Sequence, residues 1–453
     1  MTRIRYLPGL PLLLLIGAGA ALALVALLLG AGVRATGWAA SIWMLLLATV
    51  SASDFLYSRR LWQAATPRLE RQLPPAMAIG SRREVELALH VHGEADWRCR
   101  LLDQTSDSIE VRGMPIDLRL RGGYATATSY EARPGLRGDV QFGPAHVRVR
   151  SRLGTCELQT SLGAAQQLRV YPDFGQIARY AWLAGDRRLQ EIGVKAFRQR
   201  GEGTDFKQLA EYLPGDPVRH IDWKATLRNS RPVVRQYQDE RNQCVQVLLD
   251  CGRRMRADDR TGAAATTHFD DVLNAVLLLA YVALGQGDAV GVGTFGVAPE
   301  NRRAVPPRKG LHVLGQLMSA LYDQQPTTTH TDYVAAARDF MLRRQKRALV
   351  VVITNFRDED SAELQTALSM LRQRHLVLVA SLRERIVGEL LATQLSSAAN
   401  ALDVASAHLH AQSRRDAFLR LAARDGLMVD AEPQQLGIDL VNRYHAAKRA
   451  GMI

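Results

Sequence analysis

Three oxygen-bearing side chains stand where they could bind a cation. Asp250 ends the apolar run 245–249, Thr331 precedes a predicted helix, and Asn355 follows the apolar run 348–353. In open α/β sheets, ligands bind in the crevice outside the carboxyl ends of the strands. Carboxylate, hydroxyl and amide oxygens are the ligands that a hard cation such as Mg²⁺ accepts. The spacing therefore makes Mg²⁺ the one cofactor to consider, at a site formed by three loops.

The elements that would position these side chains alternate between strand and helix. Short apolar runs bounded by turns predict strands, and longer stretches with an apolar stripe predict helices. Such alternation is typical of a mostly parallel, doubly wound α/β sheet, which we assign to residues 241–453. The predicted strands cover 245–249, 289–295, 348–353, 376–380 and 427–429, and the predicted helices cover 268–284, 311–322 and 334–344.

This region resembles the von Willebrand factor A-like fold, whose metal-dependent adhesion site uses Asp-x-Ser-x-Ser, then a Thr, then an Asp. Asp250 and Thr331 fall at matching places. The two serine positions hold Gly252 and Arg254, and the last aspartate position holds Asn355. A guanidinium beside a cation would repel it. We therefore expect a degenerate site without a cofactor, in which Asp250 instead pairs with a neighbouring arginine or caps the segment that follows.

Catalytic motifs are not found in the sequence. There is no Gly-x-x-x-x-Gly-Lys-Ser/Thr loop, no Gly-x-Ser-x-Gly elbow and no His-Glu-x-x-His pattern. Two His-x-His pairs, at 90 and 92 and at 408 and 410, lack the third and fourth ligands that a metal site needs, so we expect polar surface residues there. We name no catalytic residue and expect no enzyme.

A block of polar and aromatic residues precedes the α/β region. Pro214, Gly215 and Asp216 predict a tight turn. Two interpretations of the rest remain open. Its charged residues could form a recognition surface anchored by Trp223, since tryptophan is enriched at interface hot spots. Alternatively, Arg219 and Asp222 pair within a loop that packs Trp223 onto the sheet, because structural ion pairs are common. The block consists of Tyr212, Pro214, Gly215, Asp216, Arg219, Asp222, Trp223 and Lys224.

This block is similar to the signature of the bacterial family catalogued as domain of unknown function 58. The resemblance extends over nearly the whole chain. It implies two amino-terminal membrane spans, a β-rich domain and an A-like domain. It also implies a partnership with a MoxR-type AAA+ ATPase or another cytoplasmic protein, in a chaperone-like or envelope-stress role.

Two long uncharged stretches near the amino terminus predict membrane spans. Residues 6–33 and 35–53 carry no charged side chain, and a spanning helix needs about 20 apolar residues. We assign a transmembrane hairpin to residues 1–58, with spans at about 10–30 and 37–56.

The positions of the arginines predict how this hairpin is oriented. Arg3 and Arg5 precede it, Arg59 and Arg60 follow it, and Arg34 alone lies in the turn. By the positive-inside rule, both termini and the main body are cytoplasmic. We therefore expect a two-pass protein of the bacterial inner membrane.

The stretch between the spans and the signature block alternates between apolar and polar residues. Alternation near 84–92, 116–120 and 147–150 predicts short antiparallel strands, hence a sandwich-like β domain over 64–172. In this division of the chain into domains, we assign a helical connector to residues 173–204 and the signature segment to residues 205–240. The four cysteines show no disulfide or Cys-x-x-Cys spacing.

The formal net charge of +13 limits the partners. A basic protein is attracted to an anionic lipid leaflet, and no nucleic-acid module is recognised, so we expect a lipid bilayer and a protein as partners and no specific nucleic acid.

The first functional hypothesis is a non-enzymatic scaffold. The second is a divalent-metal-dependent adhesion switch or enzyme centred on Asp250 and Thr331. Nucleic-acid binding, which would be steeply salt-dependent, is the third.

Overall fold

The chain forms two compact units in a computed structural model, Met1–Val170 and Tyr171–Ile453. The structure describes residues 4–93, 95–173, 205–213, 218–238, 243–258, 267–343, 346–394, 397–422 and 427–453. Nearly all of the predicted connector, and the predicted turn at Pro214, Gly215 and Asp216, lie outside the described residues.

The first unit begins with a short strand and two apolar helices. Strand β1 (Arg5–Pro8) leads into α1 (Leu10–Leu28), and α2 (Val33–Ala64) follows. Both helices are long and apolar enough to cross a membrane and bury little of their surface, which suggests membrane association. At 1.5 Å per residue, α1 is about 28 Å long, close to a hydrocarbon core of about 30 Å. Helix α2 is about 48 Å long and so exceeds that thickness.

The two helices pack through a small residue. A Cβ atom on Gly19 would lie 2.4 Å from Nε1 of Trp43, so only glycine leaves room for the indole. The same Nε1 donates a hydrogen bond of 3.3 Å to the carbonyl oxygen of Leu15. Small residues allow this close approach between apolar helices in a bilayer.

The remainder of the first unit is a β domain. Alternating residues of its strands enter one core, which contains Leu87, Leu89, Val147 and Val149. The strands form a five-stranded sheet in the order β1-β11-β10-β5-β7, a four-stranded sheet β2-β4-β8-β6 and a three-stranded sheet β3-β12-β9. The strands are β2 (Arg68–Gln72), β3 (Met77–Ala78), β4 (Arg83–His90), β5 (Trp97–Leu102), β6 (Ile109–Arg112), β7 (Ile116–Leu120), β8 (Ala125–Pro134), β9 (Gly138–Phe142), β10 (Ala145–Arg150), β11 (Cys156–Leu162) and β12 (Gln166–Tyr171).

The last turns of α2 are fixed to the β domain by one carboxylate. Asp54 is 4% exposed, and its Oδ2 accepts hydrogen bonds from the hydroxyls of Ser151 at 2.5 Å and Thr155 at 2.7 Å. Its Oδ1 accepts from the backbone N–H of Leu153 at 3.1 Å and from the Ser58 hydroxyl at 3.3 Å. A buried charge is tolerated when it is fully hydrogen-bonded in this way. The loop between β10 and β11 therefore holds α2 firmly.

Further contacts join the helices to the same domain. Strand β1 pairs antiparallel with β11, and the hydroxyl of Tyr6 lies 3.0 Å from that of Ser51 in α2. Trp62, near the end of α2, is 1% exposed and packs edge-on against Trp97 at 5.4 Å between ring centroids. Helix α2 thus continues as one rigid element beyond the predicted end of the span at about 56, into the core of the β domain.

The second unit begins with a small antiparallel hairpin that contains a helix. Strands β13 (Asp205–Glu211) and β14 (Val233–Gln238) pair with each other, and α3 (Trp223–Asn229) lies between them in sequence. A short 3-10 turn covers Val218–His220.

A mixed six-stranded sheet is the centre of the α/β domain that follows. Its order is β17-β16-β15-β18-β19-β20, and every neighbouring pair is parallel except the edge pair β16–β17. The elements are β15 (Cys244–Asp250), α4 (His268–Gly285), β16 (Ala289–Phe295), β17 (Ala304–Arg308), α5 (His312–Leu321), α6 (Tyr333–Met341), β18 (Leu349–Thr354), α7 (Ser361–Arg372), β19 (Leu376–Leu382), α8 (Arg385–Leu391), α9 (Ala398–Ala422), β20 (Leu427–Ala431) and α10 (Pro433–Arg449).

Helices cover both faces of this sheet. Val351 of β18 belongs to a core with α4, α5 and α10, whereas Val350 and Val352 belong to a second core with α6, α7 and α9. The strand is buried on both sides, which explains its continuous apolar sequence. Helix α4 is also long and apolar enough to cross a membrane, but 78% of it is buried inside the α/β domain.

We expect Asp54→Ala to destabilise the full chain by about 3 kcal/mol, because it leaves three buried hydroxyls and one backbone N–H without their acceptor. Urea titration in neutral detergent measures this loss, and limited proteolysis should cut the 151–155 loop faster. Asp107→Ala, at an exposed turn of the same domain, is the control. Equal behaviour of the two variants would show that the carboxylate does not hold α2.

Candidate functional site

Asp250 lies at the carboxyl end of β15 and is completely buried. Its Oδ1 accepts hydrogen bonds from the backbone N–H of Gly252 and the hydroxyl of Thr331, both at 2.8 Å. Its Oδ2 accepts from the Thr354 hydroxyl at 2.7 Å and more weakly from that of Tyr333 at 3.5 Å. The carboxylate therefore has a full set of donors from its own chain.

Burial raises the pKa of Asp250 although these hydrogen bonds oppose the shift. A carboxyl group with a raised folded-state pKa favours folding most at low pH, and its contribution falls as pH rises from the unfolded pKa to the raised one. The hydrogen bonds reduce this cost at neutral pH. Burial likewise raises the pKa of Tyr333, whose hydroxyl lies 2.9 Å from that of Thr354.

The position of the first motif serine has no room for a side chain. A Cβ atom on Gly252 would lie 2.0 Å from Oγ1 of Thr331 and 3.0 Å from the carbonyl oxygen of Thr329. The Thr331 hydroxyl thus occupies the volume that a serine would use. Asp250 itself caps the segment that follows through the N–H of Gly252, as one of the sequence alternatives proposed.

Arg254, at the second serine position, turns to other carboxylates. Its Nε donates to Oδ2 of Asp360 at 3.0 Å, and its Nη2 contacts Glu359. Only 15% of its side chain is exposed. The expected pairing between Asp250 and an adjacent arginine is therefore not the arrangement seen for Arg254.

Asn355 is brought near this cluster but is directed elsewhere. Its Nδ2 donates to Oε1 of Glu384 at 3.2 Å and to the carbonyl oxygen of Arg254 at 3.4 Å. The three predicted ligands thus do not converge on one point: Thr331 bonds Asp250, and Asn355 bonds Glu384. The structure shows no group of three His, Cys, Asp or Glu residues that could hold a metal among the described residues. These three residues do not fit a Mg²⁺ site, because Asp250 is the one charged ligand among them and its oxygens already accept from donors of the chain.

A crevice of about 530 Å³ lies beside Asn355, at the carboxyl ends of β18, β19 and β20. Arg414 crosses it and donates to the carbonyl oxygen of Leu382 at 2.6 Å and to the Ser381 hydroxyl at 2.9 Å. Arg357 pairs with Glu384 at 3.4 Å. Arg414 also pairs with Asp430 of β20, so these contacts tie three strand ends together and much of the crevice's charge serves the fold.

In the signature block, the described charged residues surround a well-capped helix. Asp222 caps α3 by accepting from the N–H groups of Lys224 and Ala225, both at 3.0 Å, and its Oδ2 accepts from Nε of Arg235 at 2.9 Å. These bonds, with the N–H of Ala225 foremost and then Arg235, lower the pKa of Asp222. Tyr212 is fixed by its N–H, which donates to the carbonyl oxygen of Pro232 at 2.9 Å.

Trp223 begins α3 and is 65% exposed, so it does not pack onto a sheet. Leu227, one helical turn later, is 83% exposed. Residues four apart share a helix face, so the two form one apolar surface. Lys224 and Arg228 flank it, and both are exposed.

Sequence reasoning found Asp250 and Thr331 but missed their other partners. Tyr333 and Thr354 do not fall at positions of a known motif. Thr354 reaches Asp250 because the two residues end neighbouring parallel strands. Asp360, the partner of Arg254, lies over 100 residues away in sequence. A buried aspartate at a strand end is the single signal that could have prompted a search for such hydroxyls.

Residues 208–426 match the family model described as "Protein of unknown function DUF58". The chain is 24% identical over 170 residues to the uncharacterized protein YeaD of Bacillus subtilis, covering 37% of this chain and 39% of that protein. It is 26% identical over 159 residues to the uncharacterized protein Rv1480 of Mycobacterium tuberculosis, covering 34% of this chain and 48% of that protein. The aligned part is thus less than half the length of these relatives.

Similarity to solved structures is slight. Proximal thread matrix protein 1 of the mussel byssus has a TM-score of 0.24 at 10% identity, covering 45% of each chain. The Escherichia coli alpha-2-macroglobulin has a TM-score of 0.19 at 16% identity, covering 23% of this chain and 7% of that one.

We expect Asp250→Ala to cost about 3 kcal/mol or more in the free energy of unfolding, because it strands several buried donors. Asp250→Asn should cost about 1 kcal/mol, since its oxygen still accepts from two donors and the Thr354 hydroxyl can accept from its amide nitrogen. Urea titration of the full chain in neutral detergent compares the two. Equal losses would indicate that the charge itself, and not the hydrogen bonding, is required.

Restoring the motif serine should harm the protein rather than recruit a metal. Gly252→Ser is expected to cost about 1–3 kcal/mol through overpacking against Thr331. Gly315→Ser is the control, because nothing lies within 4 Å of a Cβ atom at that helix position. Millimolar Mg²⁺ should leave the melting temperature of the wild type and of both variants unchanged. A rise with Mg²⁺ that Asp250→Asn abolishes would support the adhesion-site hypothesis instead.

Proposed function

We propose that this protein is a membrane-anchored, non-enzymatic scaffold that binds another protein through its second unit. The proposal takes α1 and α2 as a two-pass anchor in the bacterial inner membrane, with both termini and the main body in the cytoplasm. It takes the α/β domain as von Willebrand factor A-like, with a degenerate adhesion site. A MoxR-type AAA+ ATPase is the partner we propose, in a chaperone-like or envelope-stress role.

The exposed face of α3 carries this proposal. A tryptophan and a leucine exposed together on one helix face leave a large apolar surface in water, and such surfaces mark interaction sites. Trp223 also has the size and polarity that interface hot spots favour. Asp222 fixes the start of the helix through two backbone N–H groups, so the face is held ready rather than formed on binding.

The charges beside this face indicate the kind of partner. Lys224 and Arg228 flank the apolar pair, and Arg231, also exposed, pairs with Glu211 at a distance of 3.7 Å. A protein surface with an apolar pocket and acidic residues around it would complement this face. The proposed ATPase is therefore expected to present such a surface, and basic side chains at the rim would mainly speed association.

The geometry around Asp250 supports the non-enzymatic half of the proposal. Its carboxylate oxygens are directed inward to hydroxyls, and neither is left for a substrate or a cation. A metal-dependent switch would need both carboxylate oxygens to become free for the cation, and it would have to displace the Thr331 hydroxyl. This alternative therefore requires a rearrangement for which the described residues give no support.

We expect Trp223→Ala to weaken binding of a purified MoxR-type AAA+ ATPase from the same genome about 30-fold, the size of a 2 kcal/mol hot spot. Leu227→Ala should weaken it by about fivefold. The measurement is biolayer interferometry with the full chain in nanodiscs, with ATP and with ADP. Stability should change little, because both side chains are exposed.

Leu409→Ala is the matched control, since Leu409 is 70% exposed on α9 and lies outside the α3 face. It should bind the ATPase as the wild type does. Loss of binding in the control as well, or undiminished binding by Trp223→Ala, would remove α3 as the docking face. Failure of the wild-type chain to bind the ATPase in either nucleotide state would overturn the choice of partner.

A further inference from the structure

An arginine-rich cleft of about 580 Å³ lies in the first unit, at one end of the five-stranded sheet. Its wall is formed by the ends of β5, β7 and β10 and by the loop that follows β10. Five arginines line it, together with a single acidic side chain, Asp96. We call it the arginine cleft, and its arginines are Arg98, Arg119, Arg121, Arg150 and Arg152.

The positive charge of the arginine cleft is poorly compensated from within the chain. Arg98 lies directly opposite Arg119 in the register of β5 and β7, and like charges at such positions are destabilising. Two residues further along, Arg100 lies opposite Asp117, and the two side chains are hydrogen-bonded at 2.7 and 3.0 Å. Among the described residues, the five arginines of the cleft form no such ion pair.

The few polar partners in the cleft do not neutralise it. Asp96 accepts a hydrogen bond from the backbone N–H of Gly122 at 2.9 Å. Trp97, only 2% exposed, lines the cleft beneath Arg152, whose guanidinium lies 5.6 Å from the ring centroid. The indole N–H of Trp97 has no acceptor among the described residues. Of the five arginines, Arg150 has an acidic residue, Glu157, opposite it in the register of β10 and β11, so the cleft offers several donors and an excess of positive charge.

The cleft lies beside the ends of the two apolar helices. Gly9, the residue before α1, donates its N–H to the carbonyl oxygen of Thr155 at 2.9 Å. In the same loop, the backbone N–H of Arg152 donates to the Ser58 hydroxyl of α2 at 3.1 Å. Leu153, beside these residues, is 67% exposed. The start of one apolar helix and the end of the other are thus held against the loop that lines the cleft.

We propose that the arginine cleft binds the phosphate of an anionic phospholipid headgroup, of which phosphatidylglycerol is the simplest. Arginine forks match phosphate oxygens in geometry, and several of them close to a membrane surface attract anionic lipid strongly. The exposed Leu153 is placed to contact acyl chains beside the bound headgroup. The inference rests on the membrane-anchored part of the proposed function and is independent of the protein partner.

The test compares lipids on the full chain in neutral detergent. Titration with dioleoyl phosphatidylglycerol in mixed micelles should raise the melting temperature saturably, whereas phosphatidylcholine should not. Arg98→Gln combined with Arg121→Gln should weaken the apparent affinity roughly 30-fold, at about fivefold for each basic residue near an anionic surface. Arg82→Gln combined with Arg83→Gln, at two exposed arginines next to each other at the start of β4, is the matched control and should keep wild-type affinity.

Inorganic phosphate and glycerol phosphate at the same concentrations separate a lipid from a soluble anion. Weak or absent protection by both supports a lipid site. Protection equal to that of phosphatidylglycerol would overturn the lipid assignment in favour of a soluble phosphate. Equal losses in the two double variants, or equal effects of the two lipids, would overturn the cleft as the site. Binding of the ATPase by the cleft variant, measured in parallel, should stay intact. A failed lipid test would therefore not count against the proposed ATPase partner.

Discussion

The hydrogen bonds to Asp54 are the constraint on which the first unit depends. A carboxylate at the end of an apolar helix is costly unless its oxygens are satisfied. Here the donors come from the loop after β10, so the chain satisfies the charge only by holding the helix against the β domain. Because α2 continues to Ala64 without a break, no flexible linker separates the apolar span from that domain. The loop after β10 also lines the arginine cleft, so the same hydrogen bonds fix the position of the cleft relative to the apolar helices.

In the second unit, the buried carboxylate of Asp250 likewise holds separate parts of the chain together, but it does so at a place where a ligand could have bound. The Asp54 network joins a helix to a loop, whereas the Asp250 network joins the ends of two parallel strands to Thr331, two residues before α6. Hydroxyl groups and one backbone N–H supply each set of donors, and they neutralise neither charge. An edge of the sheet that could have bound ligands is thereby used for packing. The α3 face, which we propose for recognition, lies outside this network.

The sequence predicted much of the architecture because periodicity reports burial directly. The apolar run 348–353 became β18 (Leu349–Thr354), and the alternating run 116–120 became β7 with the same bounds. The two apolar spans became helices, and α2 continues to Ala64, beyond the end predicted for the second span at about 56. The extra turns bury Trp62 in the β domain, a tertiary contact that hydropathy does not report.

Sites assembled from distant residues were less predictable. The arginine cleft draws on three strand ends and a loop between residues 96 and 154, and no local pattern in the sequence connects them. Trp223 gave two open interpretations because a single aromatic residue among charges carries no periodicity. Its exposure of 65% separates them, since a residue packed onto the sheet would be buried. Gly252 was read as a lost ligand, whereas its lack of a Cβ atom is what admits the Thr331 hydroxyl.

The distribution of charge in the β domain argues against a general role for the net charge of +13. If arginines served only solubility, they would be interspersed with acidic residues, as Arg100 and Asp117 are. Arg98 and Arg119 instead face each other at the end of the sheet next to the apolar helices, at a cost in stability. Such a cost can be offset where anions are supplied from outside the chain. For a protein whose adjoining helices are long enough to cross a membrane, the headgroup region is the nearest such source.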